Sequence, residues 1–225
     1  GWKQPGAGSY VFRQDYASDT TTSSTRGPLS VRGYHLRAIG NNDYGYCGGR
    51  SDNQNQTNNY SIIDRIDYSN DTATATVTAP AGMVPSAQSY ITAGNQSYGY
   101  FVGGYSPAIY DSVSSVRRLD YASDTGTSLK APLTFKTQRG GGASNQNYGY
   151  ITSGQSGYHT VVHRIDFAND SATPTPKGPL SYSQDYRSGT GSADYGYISG
   201  GDPAESRVDR IDYANDTTTA SPKGP

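Results

Sequence analysis

The chain is poor in the residues that most often announce a chemistry. In 225 residues there is one cysteine (Cys47), one methionine, one tryptophan (Trp2) and one glutamate (Glu205). A single cysteine excludes an intramolecular disulfide framework and a cysteine-rich zinc site. A single glutamate removes most general-acid options. Charge is scarce as well: 16% of residues are charged, and 18 Lys+Arg stand against 19 Asp+Glu for a net −1. That balance gives no electrostatic case for nucleic acid or an anionic membrane. No apolar run approaches the ~20 residues of a membrane helix, so membrane insertion is not expected. Neither an initiator Met nor a signal-peptide pattern is present, so Gly1 need not be the natural start. Hydrophobic residues are 32%, against ~45–50% in an average globular chain. Disordered chains combine low hydrophobicity with high charge and few aromatics. This one instead has 21 Tyr, 4 Phe and 28 Gly.

What is abundant is repetition, and it bears most on the architecture. One phrase occurs five times: Arg13-Gln-Asp-Tyr-Ala-Ser-Asp-Thr20, Arg65-Ile-Asp-Tyr-Ser-Asn-Asp-Thr72, Arg118-Leu-Asp-Tyr-Ala-Ser-Asp-Thr125, Arg164-Ile-Asp-Phe-Ala-Asn-Asp-Ser171 and Arg210-Ile-Asp-Tyr-Ala-Asn-Asp-Thr217. The arginines are 52, 53, 46 and 46 residues apart. A second phrase precedes four of them: Tyr44-Gly-Tyr-Cys-Gly-Gly49, Tyr98-Gly-Tyr-Phe-Val-Gly-Gly104, Tyr148-Gly-Tyr-Ile-Thr-Ser-Gly154 and Tyr195-Gly-Tyr-Ile-Ser-Gly-Gly201. A Thr/Ser/Ala stretch follows each Asp-Thr turn and closes on Pro28, Pro80, Pro132, Pro179 or Pro225.

Each unit reads as four short strands. The first is rich in small residues, as in Ala38-Ile-Gly-Asn41 and Thr92-Ala-Gly-Asn95. The second is the Tyr-Gly-Tyr segment and the third alternates, as in Val208-Asp-Arg-Ile-Asp-Tyr213. The fourth is expected in the Thr-rich run, Thr217 to Ser221. β-Branched and aromatic residues punctuated by Asn-Asp, Gly-Gly and Gly-Pro turns favour strands, and no segment carries helical periodicity. Four strands in about 46–53 residues is the period of a propeller blade. The fold class expected is therefore all-β: a β-propeller of four-stranded antiparallel blades, with five blades of which the first is incomplete. The small-residue strand suits the innermost position, where blades crowd together. Tyr suits the outer strands, with its ring between blades and its hydroxyl reaching water or backbone. The repeat units span 1–33, 34–85, 86–137, 138–182 and 183–225, a single propeller over 1–225. Residues 1–8 could supply a degenerate second strand, with Trp2 near the Tyr-Gly-Tyr position. In the alternative reading, the chain is a segment whose missing strands follow Pro225. An uncovered sheet edge would be an aggregation hazard, so something should cover it.

The unit resembles the kelch repeat: a proline-ended turn, a small-residue strand, an aromatic strand ending in Gly-Gly, then Val-x-Arg-Ile-Asp-Tyr and an Asp-Thr turn. The likeness covers nearly the whole chain. It departs where kelch repeats carry a tryptophan after the Asp turn, since Thr or Ser stands there. The wording also resembles Tyr-Gly-Tyr/Arg-Ile-Asp-Tyr repeat proteins of marine bacteriophages, among them virion and tail proteins. This resemblance implies a structural or attachment role and a location on a virion or an extracellular surface.

The kelch family includes a copper radical oxidase built on a Tyr–Cys pair and His ligands. Cys47 beside Tyr46 matches that pair only in sequence, and the three histidines (His35, His159, His163) neither repeat nor cluster with it. Cys47 suits a small buried slot instead. The repeated Asp pairs are not arranged as a calcium loop. They suit turns and an Arg–Asp ladder between blades. Three of the six Asn-x-Ser/Thr triplets fall in that turn and need not mean glycosylation. No nucleophile elbow or phosphate loop is present, so no catalytic, metal or cofactor residue is assigned. The segments after Gly-Gly vary most, and loops on a rigid scaffold commonly carry specificity. Their Tyr60, Tyr105, Tyr110, Tyr158, His159 and Asp202 are the expected partner contacts. The expected function is a non-enzymatic structural and interaction module whose partners are other virion or surface proteins and, in a second reading, glycans stacked on Tyr between blades.

Overall fold

The computed structural model of the chain describes residues 8–18, 20–52, 59–79, 83, 87–154, 160–202 and 206–224. The degenerate strand expected within residues 1–8, with Trp2, lies almost wholly outside them. Strands β1 (Val11–Arg13) and β2 (Ser24–Arg26) form an antiparallel ribbon. Sheet 1 then runs in chain order through β3 (Arg37–Gly40), β4 (Tyr44–Ser51), β5 (Asn59–Asp67) and β6 (Thr76–Ala79). Sheet 2 has β7 (Ile91–Gly94), β8 (Tyr98–Val102), β11 (Val116–Asp120) and β12 (Thr127–Lys130). A short ribbon of β9 (Tyr105–Ser106) and β10 (Asp111–Ser112) is inserted after β8. Sheet 3 comprises β13 (Gly142–Ser144), β14 (Tyr148–Thr152), β15 (Val162–Asp166) and β16 (Thr175–Lys177). Sheet 4 comprises β17 (Ser188–Gly191), β18 (Tyr195–Ser199), β19 (Val208–Asp212) and β20 (Ser221–Lys223). Among the described residues the chain is all-β, with four four-stranded antiparallel meanders. Among the described residues no helix is long and apolar enough to cross a membrane.

The fourth strand begins later than the Thr run suggested. In sheet 4 it is Ser221–Lys223, and Thr217 and Thr218 remain in the connection. The cause is local. The Asp212 carboxylate caps the amide of Ala214 and sets a 3-10 turn over Tyr213–Asn215. The Thr218 hydroxyl then bonds the Asn215 carbonyl, a side-chain-to-backbone contact that competes with the ladder. Asp67, Asp120 and Asp166 cap their turns in the same way.

The core is divided into slabs, one between each pair of successive sheets. Tyr46, Ile63, Tyr90, Phe101, Leu119 and Tyr121 fill the slab between sheets 1 and 2. Ile91, Tyr100, Val116, Ile151, Ile165 and Phe167 fill the next. Tyr150, Val162, Ile198 and Ile211 fill the third. Leu29, Cys47 and Ala75 pack beneath the β1–β2 ribbon. The first strands lie side by side, and glycine permits the closest approaches at β13 and β17. A Cβ at Gly142 would stand 2.1 Å from the Thr92 carbonyl oxygen, and one at Gly189 would stand 2.4 Å from that of Gly142. Just before these strands, His35, Ser89, Arg139 and Tyr186 all adopt positive φ. At that level backbone bonds run from sheet to sheet, from Ser89 N to His35 O, Arg139 N to Ser89 O and Arg187 N to Arg139 O.

Candidate functional site

The most regular assembly of charged side chains is a clamp between successive sheets. The Arg of the repeated phrase reaches the second Asp of the next unit. Arg13 Nη1 lies 2.8 Å from Asp71, Arg65 2.5 Å from Asp124, Arg118 2.8 Å from Asp170 and Arg164 2.7 Å from Asp216. A second cation comes from the last strand: Arg26 on Asp71, Lys130 on Asp170 and Lys177 on Asp216, at 3.1, 3.3 and 3.1 Å. The middle tyrosine of the second strand completes it. Tyr100 Oη donates to Asp170 and Tyr150 Oη to Asp216, both at 2.8 Å, and Tyr46 to Asp124 at 3.4 Å. The hydroxyls expected to meet water or backbone thus meet a carboxylate of the neighbouring sheet.

Each of these rings also stacks on an aromatic ring of the next sheet. The centroid separations are 4.9 Å for Tyr46–Tyr121, 4.9 Å for Tyr100–Phe167 and 4.6 Å for Tyr150–Tyr213. The first tyrosine of the motif holds the arginine from beneath, with Arg65, Arg118, Arg164 and Arg210 lying 4.7, 4.5, 4.2 and 4.3 Å over Tyr44, Tyr98, Tyr148 and Tyr195. Burial alone would raise the Asp216 carboxyl. Hydrogen bonds from Tyr150 and Lys177 and the charges of Arg164 and Lys177 outweigh it and hold that carboxyl below its ordinary value. Burial and the same carboxylate push the Tyr150 phenol upward, so the Tyr150–Asp216 pair keeps one fixed protonation state near neutrality. The signal for its second cation was in the sequence, as Arg26-Gly-Pro, Lys130-Ala-Pro, Lys177-Gly-Pro and Lys223-Gly-Pro.

A second recurring contact lies one residue before the clamp arginine. Asp209 accepts from the amide and hydroxyl of Ser181 at 2.7 and 2.6 Å, and Asp64 accepts likewise from Ser30. In sheet 3 the position is His163, whose Nε2 lies 3.2 Å from Thr134 Oγ1 and whose ring packs on Phe135. Burial pushes its pKa down to about 4. The unfolded chain, with a histidine pKa near ~6.5, therefore binds the proton more readily than the folded one. Stability is full above about pH 6.5 and falls as pH drops towards 4, by up to about 3 kcal/mol. Urea midpoints of His163→Gln should lack that decline. A parallel decline in wild type and variant would show that His163 is not the group responsible.

Cys47 and Tyr46 are neighbours in β4 and so point to opposite faces. Tyr46 packs towards sheet 2, and Cys47 packs with Leu29 and Ala75. Burial pushes the thiol up to about 11. That geometry suits a packing residue and holds the two side chains apart.

The expected partner contacts are dispersed. Tyr158 and His159 lie outside the described residues. Tyr60 is in β5 and not in a loop, paired with Arg50, because β4 and β5 extend beyond the repeat pattern into this segment. Tyr105 is likewise in a strand, exchanging backbone bonds with Gln88. Asn59 Nδ2 donates to the Tyr105 carbonyl at 3.4 Å, which brings these two segments together. Tyr110 is at the tip of the β9–β10 ribbon with φ 53°, 84% exposed beside Ile109 at 57%. Lys136 pins that ribbon through Asp111 at 2.5 Å. Asp202 is exposed and bridges to Asp185 through the backbone.

A cavity of about 160 Å³ lies where the first strands of all four sheets meet, lined by Arg37, Ile91, Thr92, Gly140 to Gly142 and Arg187 to Gly189. Burial and the neighbouring Arg139 lower the pKa of Arg37, and burial with Arg139 and Arg37 lowers that of His35. Arg37 and Arg187 place two guanidinium groups on the lining of this cavity. Compared with models of known protein families and with curated proteins, the chain has no significant match.

Proposed function

We propose that the four sheets are blades of a kelch-like β-propeller, with β1–β2 the outer half of a further blade. In this reading the propeller is a non-enzymatic structural and interaction module, carried on a phage particle as a tail or capsid decoration or host-attachment element, or displayed on a cell surface. The carrying observation is the contrast between constancy and variation. One clamp of Arg, Asp and Tyr recurs between successive sheets, joined by a Lys in the second and third, while the segments after the second strand differ from unit to unit. The cavity shared by the first strands and the sheet-to-sheet backbone bonds support the radial arrangement. A scaffold of this kind holds unlike loops in fixed relation, and the Ile109–Tyr110 tip presents an exposed apolar pair on a pinned ribbon.

The test uses two variants at that tip, Ile109→Ser and Tyr110→Ser. Capture of virion or surface proteins by the purified chain should drop at least tenfold, with the melting temperature unchanged. Undiminished capture by the double variant would remove the tip from the interface. The glycan reading now rests on exposed rings such as Tyr110, since the inter-sheet rings Tyr46, Tyr100 and Tyr150 are buried in stacks. Glycan-array binding lost in Tyr110→Ser would favour it.

A further inference from the structure

The clamp is built once more than it is filled. On sheet 4, Tyr197 is paired with Arg210 across β18 and β19, as Tyr150 is with Arg164 and Tyr100 with Arg118. Lys223 stands opposite Val208, as Lys177 does opposite Val162 and Lys130 opposite Val116. Arg210 is already posed over Tyr195 at 4.3 Å, like its three counterparts. Yet among the described residues no carboxylate meets Arg210 or Lys223, and no ring stacks on Tyr197. Tyr46, Tyr100 and Tyr150 are fully buried, whereas Tyr197 keeps part of its surface exposed.

The backbone tells the same story. Gly27 and Gly178 are tucked against the next unit, where a Cβ would stand 1.8 Å from the carbonyl oxygens of Ala73 and Thr218. The equivalent Gly224 has nothing within 4 Å. All four residues of β17 are exposed, unlike those of β7 and β13. Tyr16, the aromatic residue of the β1–β2 turn, does not fill the ring's place, being 94% exposed.

We propose that the outer face of sheet 4, formed by Tyr197, Arg210, Lys223 and β17, is a docking site for one further unit of this same repeat. The occupant presents the turn Arg-x-Asp-aromatic-x-x-Asp. Its aromatic ring stacks on Tyr197, its second Asp sits between Arg210 and Lys223, and its small-residue strand lies along β17. Charge and ring complementarity carry the assignment, because three filled copies show the ring and the Arg–Asp pair, and two of them show the Lys as well. The inference rests on the clamp and not on the closed ring or the phage setting, so it can fail or stand without them.

The probe is the full chain fused after Pro225 to a second copy of residues 183–225, with Phe at the added counterpart of Tyr197, so that the two peptides differ in mass, and either Asp or Asn at the added counterpart of Asp216. With Asp, the melting midpoint should rise by about 5 °C or more, a shift of the size that one or two kcal/mol gives in a chain of this length. Nitration of Tyr197, read by peptide mass spectrometry, should slow at least fivefold. With Asn, both effects should largely disappear. Arg210→Gln should abolish them in the fusion while barely moving the melting point of the parent chain, where Arg210 has no carboxylate to lose. Equal protection in the Asp and Asn fusions would overturn the proposal. So would protection of Tyr197 by phosphate or free aspartate alone, which would make the face a simple anion site. Protection in the unfused parent that is lost in Tyr16→Ala would overturn it too, by assigning the face to the β1–β2 turn.

Discussion

Asp64→Ala is expected to destabilise the chain by about 3–5 kcal/mol, read as a fall in the urea midpoint at unchanged m-value. Arg50 and Asp64 are both fully buried and joined at 2.9 Å. The guanidinium also donates to the carbonyls of Val31 at 2.6 Å and Cys47 at 3.1 Å, and the carboxylate accepts from Ser30. Deleting the carboxylate leaves a buried cation and two Ser30 donors without an acceptor. Those losses exceed the worth of the ion pair itself. Asp64→Asn keeps an acceptor and should lose less. Arg50→Met with Asp64→Leu should recover the part of the damage due to the unpaired cation, while the Ser30 donors stay without an acceptor. A loss below about 1 kcal/mol for Asp64→Ala would mean that water reaches the pair.

Tyr150 separates packing from polarity within one clamp. Tyr150→Ala removes a fully buried ring and its stack on Tyr213, for an expected loss of about 3–5 kcal/mol. Tyr150→Phe keeps the ring and loses only the bond to Asp216, a hydrogen bond to a charged group worth about 1.5–3 kcal/mol. The expected ordering is wild type, then Phe, then Ala, in thermal or urea unfolding. Equal losses for Phe and Ala would mean that the ring adds nothing beyond its hydroxyl.

Much of this was legible in the sequence because the repeat writes the same residues into the same places. The Arg phrase and its Asp turn located the third strand and the hairpin of every unit, but alternation along Val208 to Asp212 did not give its faces, since Asp209 is buried on the side of Ile211 while Val208 shares the side of Arg210. The fourth strand was misplaced because Thr has high strand propensity, yet in Thr217 and Thr218 the hydroxyls are engaged in the turn. Tyr60 and Tyr105 were read as loop because strands that lengthen beyond the repeat pattern leave no periodic mark. The Tyr–Asp bonds were missed for a different reason. They join residues about 66 to 78 positions apart, and nothing local says that a tyrosine hydroxyl will meet the next unit's turn.

Each unit carries both halves of the joint, a carboxylate for the unit before it and a pocket of cations for the unit after it. Joints are therefore formed only between immediate neighbours, as in other quasi-one-dimensional folds. At the level of the gene, unequal crossing-over between two copies would delete or insert a whole sheet and reunite a matching pair of ends. The number of copies can drift over generations with no interface redesigned, while the loop in each copy diverges independently.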